Sequence, residues 1–305
     1  KFNFKKIAII SNFDFDNLNI NYKSNLIQKY LRNYNNKLII KNPKILFDYS
    51  NDLINFQIYG KYSLKDKEDN FLIKFKGNKV DFEFYSLLDL DNNSLNFDKI
   101  QYSKKKNLQS KLEVLINNSN SRLNFEKINF KENKNNISIK NLVLSKDLKV
   151  HSIDKIDINF LNDNGIKNKF KLKKNLNNYN LTGSQIDGEK IVEILLKRDS
   201  QNKLSNFFNN INASVILNLD KIYLEKDEYL NKFDGELQIK NNKVILAKAN
   251  AVLNKGNKFS YSYRTTIKDE KITNIIIEEP KPFINNYKFI KGFEEGKLKL
   301  NSTKI

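Results

Sequence analysis

The side chains able to do chemistry are few in kind. His151 is the single histidine, and the chain has no cysteine and no methionine. Zinc–thiolate, iron–sulfur and thiol-nucleophile chemistry need a sulfur ligand and are excluded. A Ser-His-Asp triad has only His151 to be built around, and a site of several imidazoles cannot be assembled. Carboxylates, the usual pair for general acid–base work, occur together at Asp14/Asp16, Asp89/Asp91, Glu278/Glu279 and Glu294/Glu295. No Gly-rich phosphate loop, nucleophile elbow or metal-ligand spacing accompanies them, so they read as solvated surface. His151, beside Val150 at an expected strand, reads as structural. Neither catalysis nor a cofactor or metal is expected.

Charge narrows the partners. Across 305 residues, 54 Lys+Arg against 35 Asp+Glu leave a formal net charge of +19, a balance that first suggests nucleic acid. Only Arg32, Arg122, Arg198 and Arg264 are arginines, whereas phosphate and guanine recognition favour the bidentate guanidinium fork. Lysine, asparagine, isoleucine and phenylalanine are inflated together, as an AT-rich coding sequence would inflate them. The lysines are dispersed, with brief clusters at Lys104-Lys105-Lys106 and Lys171 to Lys174. The expectation is a solvated basic surface with no nucleic-acid partner, still able to attract anionic lipid headgroups.

The elements that must position any site are mostly strands. Apolar and polar residues alternate in Phe71–Phe75, Val80–Phe84, Leu112–Val114, Ile137–Ile139, Leu237–Ile239 and Phe259–Tyr263, the period of a sheet with one dry and one wet face. Between them lie Asp91-Asn92-Asn93, Asn117–Asn120, Asn162–Gly165 and Lys240–Lys243. Asn and Asp tolerate left-handed turn conformations, so these predict hairpins and antiparallel neighbours in chain order. Helices are predicted over Ser24–Tyr34, over Gly188–Arg198 behind an Asp187 cap, and briefly after Pro282. Residues 199–210 read as a connection. The longest apolar runs, such as Ile7–Ile10 and Ile275–Ile277, fall far short of the ~18–20 residues that span a bilayer.

An internal repeat carries the functional argument. Leu95–Tyr102 (LNFDKIQY) recurs as Leu123–Phe130 (LNFEKINF), and more loosely as His151–Ile158 and Leu217–Leu224, the first three acidic positions being 98, 126 and 154. In each copy an acidic-Lys pair separates two apolar sets. Either a one-residue bulge returns the second set to the same face, or the pair forms a corner between separate strands. With bulges, successive hairpins would curl a long sheet into a trough lined by Leu95, Phe97, Ile100, Tyr102, Leu123, Phe125, Ile128, Phe130, Ile153, Ile156, Ile158, Leu217, Leu219, Ile222 and Leu224. The fold class predicted is mainly β: a long, twisted, curled antiparallel sheet with a few short helices. Its apolar face is either folded on itself as a filled scaffold, structural or adhesive, or left open for acyl chains, whose burial is worth ~0.8 kcal/mol per methylene.

The run Tyr179–Asp187 (YNLTGSQID) leading into Ile191–Leu196, and the tail Pro282-Phe283-Ile284 through Gly292 to Leu300, resemble the two junctions of the AsmA-like family. Glu295 stands where the first glycine of that family's Gly-Gly pair usually sits. The resemblance covers about residues 70–305 and implies a β-groove that moves phospholipid between the inner and outer membranes of Gram-negative bacteria. The implied location is the periplasm, with an anchoring inner-membrane helix preceding the segment. A chain that opens on Lys1 and lacks methionine fits a piece of a longer protein. The expected organisation is a mixed N-terminal segment (1–69), a repeating hairpin groove ending in a helix (70–198) and a C-terminal β segment (199–305). The expected partners are phospholipid acyl chains, the two membranes and other envelope proteins.

Overall fold

The computed structural model describes residues 8–32, 34–64, 67–119, 122–176, 178–189, 211–253, 256–281, 283 and 296–304. The chain divides into two compact units, residues 1–148 and 149–305. Both are mainly β, with open sheets rather than a closed barrel.

The first unit contains β1 (Ala8–Asp14), β2 (Asn17–Asn21), α1 (Asn25–Tyr30), β3 (Lys37–Ser50), β4 (Leu53–Ser63), β5 (Glu68–Gly77), β6 (Phe82–Asp89), β7 (Leu95–Phe97), a 3-10 turn (Asp98–Ile100), β8 (Tyr102–Lys104), β9 (Ser110–Ser119), β10 (Arg122–Glu132) and β11 (Asn135–Leu144). Its sheet runs β3–β4–β5–β6–β9–β10–β11, antiparallel throughout. On the outer edge of β3, β2 pairs with residues 37–41 and β1 with residues 44–50. The break falls where Asn42 (φ 47°) and Pro43 make a bulge against β4. The β3–β4 turn has Asn51 and Asp52 at φ 49° and 64°, the doubly left-handed turn that matches strand twist. The short β7–β8 hairpin forms a two-stranded sheet of its own, touched by a single bridge from Leu31 to Leu95.

The second unit contains β12 (Val150–Ser152), β13 (Lys155–Leu161), β14 (Lys167–Asn175), β15 (Asn178–Asp187), β16 (Ala213–Tyr223), β17 (Tyr229–Lys240), β18 (Lys243–Leu253), β19 (Lys258–Thr265), β20 (Lys271–Ile277) and β21 (Leu298–Lys304). From β13 to β21 each strand pairs with the next, and Asn241 and Asn242 (φ 50° and 62°) form the β17–β18 turn. One pair departs from the antiparallel expectation: β15 and β16 are parallel. A parallel pair needs a long crossover, and residues 188–212 provide the length. Gly183 is required by its surroundings, since a Cβ there would lie 2.5 Å from the Lys169 carbonyl oxygen and 2.6 Å from Phe170 Cα. The bulge at Ser184 follows directly, as the β14–β15 register shifts between Gly183 and Gln185.

The helix expected over Ser24–Tyr34 is real but shorter. Ser24 Oγ accepts the Ile27 N–H (3.2 Å) as N-cap, and the helix stops at Tyr30 because Leu31 turns out to bridge Leu95. At the second predicted helix Asp187 Oδ1 accepts the Glu189 N–H (3.0 Å), as a cap would. Residues 190–210, and all but Phe283 of the segment from 282 to 295, lie outside the described residues.

Candidate functional site

The strand registers of the first unit place apolar side chains in rows that cross the sheet on one face. One row is Phe47–Phe56–Phe75–Phe84–Ile116–Phe125–Leu142. Two residues along lies Ile45–Ile58–Ile73–Ser86–Val114–Ile128–Ile139. Flanking rows end in Phe82, Leu123 and Leu144 on one side, and in Phe71, Leu88, Leu112, Phe130 and Ile137 on the other. The aromatic members stack across strands, Phe56 on Phe75 at 5.5 Å and Phe75 on Phe82 at 5.4 Å. Every member of the Phe47–Leu142 row is half-buried, neither sealed nor fully exposed. The reverse face carries Lys74, Lys127 and Lys140, with Lys127 paired to Glu113 at 2.7 Å.

A bulge produces this alignment on β10. Phe125 faces Ile116 and Lys127 faces Leu115, so Glu126 is the extra residue. It returns Ile128 and Phe130 to the face of Leu123 and Phe125, the first of the two readings of the repeat. The same acidic-Lys pair acts differently elsewhere. Asp98-Lys99 lies in a 3-10 corner between β7 and β8, and Asp154 lies in the break between β12 and β13. At Asp220 the strand continues, but ladder pairing skips it opposite Lys232, whose φ is 49°. The local backbone depends on what lies across the ladder, which the repeat does not encode.

One end of the rows is closed. There the β7–β8 hairpin and α1 bury Leu95, Tyr102, Tyr62, Phe71 and Phe130. Tyr102 meets Phe130 edge-on at 6.0 Å, and Tyr30 packs on Phe97 at 5.4 Å. Beneath the hairpin is a polar lock. Lys104 Nζ, 1% exposed as a residue, donates to the carbonyl oxygens of Asn93 (2.8 Å), Lys105 (3.1 Å) and Asp91 (3.2 Å). Burial pushes its ammonium pKa down, against the upward pull of Glu132, Asp69 and Asp91. Asp69 accepts from Asn93 Nδ2 (2.6 Å) and from Asn92, and burial raises its carboxyl. The Tyr62 phenol donates to the Asp89 carbonyl oxygen (2.7 Å), and burial raises it well above its ordinary value.

The second unit repeats the plan. Its central row is Ile156–Leu172–Leu181–Leu217–Gly235–Ala249–Tyr261–Ile275–Leu300. One end again closes, around Leu224, Leu230, Ala251, Leu253, Ile277 and Phe283, with Ile222 packed against them. Toward the other end Val215, Leu237 and Tyr263 are half-buried.

Compared with known proteins, the chain matches no family model, no curated protein and no solved structure.

Of the residues expected to line the trough, Leu123, Phe125, Ile128 and Phe130 occupy successive rows on β10. Leu95, Phe97 and Tyr102 belong to the end cap, and Ile100 points outward, 42% exposed. In the second unit Ile156, Ile158, Leu217 and Leu219 lie in the rows. Ile222 and Leu224 belong to the closed end, and Ile153 is partly buried in the break before β13. The repeat does not reach the β3–β6 aromatics Phe47, Phe56, Phe75 and Phe84; alternation in Phe71–Phe75 and Val80–Phe84 carries the signal for Phe75 and Phe84 alone.

The residues first considered for chemistry have other partners. His151 is exposed on β12. Asp89 pairs with Lys111 (3.4 Å) and Asn70 (2.9 Å), while Asp91 accepts the Ser110 N–H (2.7 Å). Glu278 accepts the Lys258 N–H (2.8 Å), and Glu279 accepts from Asn257 (2.7 Å). Glu294 and Glu295 lie outside the described residues. No metal-binding cluster and no helix long and apolar enough to cross a membrane occur among the described residues.

Proposed function

We propose that the apolar rows of the first unit hold phospholipid acyl chains and that the protein conducts lipid along a β-groove between two membranes. The supporting observation is the Phe47–Leu142 row. Seven apolar side chains run across seven strands without one being sealed. The only second layer among the described residues of this unit is the cap at one end. A face of this length and chemistry has unrealised hydrophobic free energy, ~25 cal/mol per Å² still in water, and a methylene chain can claim it without specific polar contacts. Rows with no fixed polar anchor hold a chain without fixing its position, which conduction requires. The resemblance to AsmA-like proteins supplies the setting for this reading, the envelope of Gram-negative bacteria with the inner and outer membranes as donor and acceptor.

A photo-crosslinking residue placed at Phe84 tests it. The expected result is UV-dependent attachment of phospholipid at Phe84, none at Lys74 on the reverse face, and near-stoichiometric phospholipid in mass spectra of the purified protein. Absence of lipid from both measurements would leave a filled architectural sheet as the function.

A further inference from the structure

The two ends of the second unit's strands differ in charge and in covering. At the closed end stand Asp163, Asp187, Glu225, Asp227, Glu228 and Glu278, outnumbering the exposed Lys226, Lys258, Lys281 and Lys297 there. At the other end three turns finish at nearly the same level: the β14–β15 turn at Leu176, the β17–β18 turn at Asn241-Asn242, and the β19–β20 turn at Ile267. The registers fix this level, since Asn178 lies beside Ser214, Ser214 beside Gln238, and Leu246 beside Arg264. Six exposed lysines, Lys173, Lys174, Lys240, Lys243, Lys268 and Lys304, surround these tips, against the acids Asp154, Asp269 and Glu270.

Two of the three tips are apolar where turns are usually polar, the β17–β18 turn keeping its asparagines. Ile267 is 106% exposed and Leu176 is 86% exposed. Leu176 is also held at φ 55°, a left-handed conformation that costs a branched side chain and that this chain otherwise gives mainly to asparagine. At about 4.8 Å per strand the two tips are ~24 Å apart. Two apolar points at one level inside a ring of lysines match the interface of an anionic bilayer, where lysines meet headgroups and apolar side chains enter the acyl boundary.

We infer that this end of the second unit docks on an anionic phospholipid surface, with Leu176 and Ile267 inserted and the six lysines on the headgroups. The surface stands on its own geometry and does not depend on acyl chains entering the rows of the first unit.

Flotation with vesicles of phosphatidylcholine containing phosphatidylglycerol, compared with pure phosphatidylcholine vesicles, tests the inference. Leu176→Gly is the informative variant, because glycine suits the positive φ and keeps or raises thermal stability. Combined with Ile267→Ser, it should weaken binding to the anionic vesicles by about tenfold or more. Lys268→Glu should weaken it by a similar factor, while Lys226→Glu, the same charge change at the closed end, should leave it within about twofold. None of these variants should change the lipid that copurifies with the protein, which separates this surface from the groove reading. Four results would each overturn the inference: no binding by the parent protein, parental binding by the tip variant, equal loss from Lys226→Glu and Lys268→Glu, or loss from Lys268→Glu with no effect of the apolar changes. The last would identify a general polyanion site such as one for nucleic acid.

Discussion

The phenol of Tyr102 donates a hydrogen bond to Oε2 of Glu132, 30 residues further along the chain, and both side chains are buried. This contact fastens the β7–β8 cap to β10, the strand whose bulge aligns the rows. Glu132 also accepts from Asn135 Nδ2 (3.0 Å), so the carboxylate joins the cap to the next hairpin turn. Tyr102→Phe removes the donor and leaves a buried acceptor short of a partner. The expected cost is about 1–3 kcal/mol, read from urea unfolding. A Tyr102→Phe/Glu132→Gln double-mutant cycle should give a coupling above ~0.5 kcal/mol, and additive effects would mean that the cap is held by packing alone.

Substitution in the middle of the rows should separate groove from core. Phe125→Asp and Ile128→Asp place a carboxylate on a face that is half-buried rather than sealed. The strand signal in circular dichroism should stay largely intact while phospholipid crosslinking at Phe84 is lost. Phe160→Asp, at a position 3% exposed in the second unit, should unfold its surroundings, because a charge buried without a partner costs several kcal/mol. Equal unfolding of all three variants would indicate a sealed core.

How much of this was legible in the sequence depends on the residue. Alternation located the strands around Phe71–Phe75 and Phe259–Tyr263, Asn241-Asn242 marked the β17–β18 turn, and Ser24 announced α1. These are local signals, and local physics decides them. The acidic-Lys pair was ambiguous because its outcome is non-local. Glu126 bulges where β9 runs alongside, whereas Asp98, with no long partner strand, turns a corner. The Asn117-Asn118-Ser119 run reads as a turn but continues β9, since pairing with β6 and β10 outweighs the weak strand preference of asparagine. That β15 would take β16 as a parallel neighbour had no signature in either strand.

Gly183 offers a steric test. Any Cβ there meets backbone, not a flexible side-chain end, so Gly183→Val should cost about 1–3 kcal/mol or more and loosen the β14–β15 pairing. Gly165, at φ 78° with open space where a Cβ would go, provides the contrast: Gly165→Asn should be nearly neutral, because asparagine tolerates that conformation. Hydrogen exchange at the amides of Lys171 and Thr182 reads the difference. Unchanged protection in Gly183→Val would show that β14 can move aside.

Stability should fall on acidification through two identifiable carboxylates. The Lys258 backbone N–H, and then Lys297, hold Glu278 below its ordinary pKa, and Lys41, at 2.7 Å, does the same for Glu68. A carboxyl depressed in the folded state binds fewer protons there than in the unfolded chain. Its stabilisation is therefore present above the ordinary carboxylate pKa and is lost as the pH falls through the folded value. Glu278→Gln and Glu68→Gln should each lower the melting temperature at neutral pH and flatten its decline below about pH 4.5. Asp69, raised by burial, works with the opposite sign, and Asp69→Asn should steepen the same decline.

The parallel β15–β16 pair also bears on how quickly the second unit assembles. Every other neighbour there with an assigned register, except β21, joins across a brief connection and can zip locally, whereas β15 finds β16 only after some twenty-five intervening residues have been gathered in. Closing so wide a loop is entropically late. Two pre-formed meanders, one ending at β15 and one starting at β16, should await each other, making their docking the slow phase of refolding and the point where a nascent chain is most exposed to misassociation.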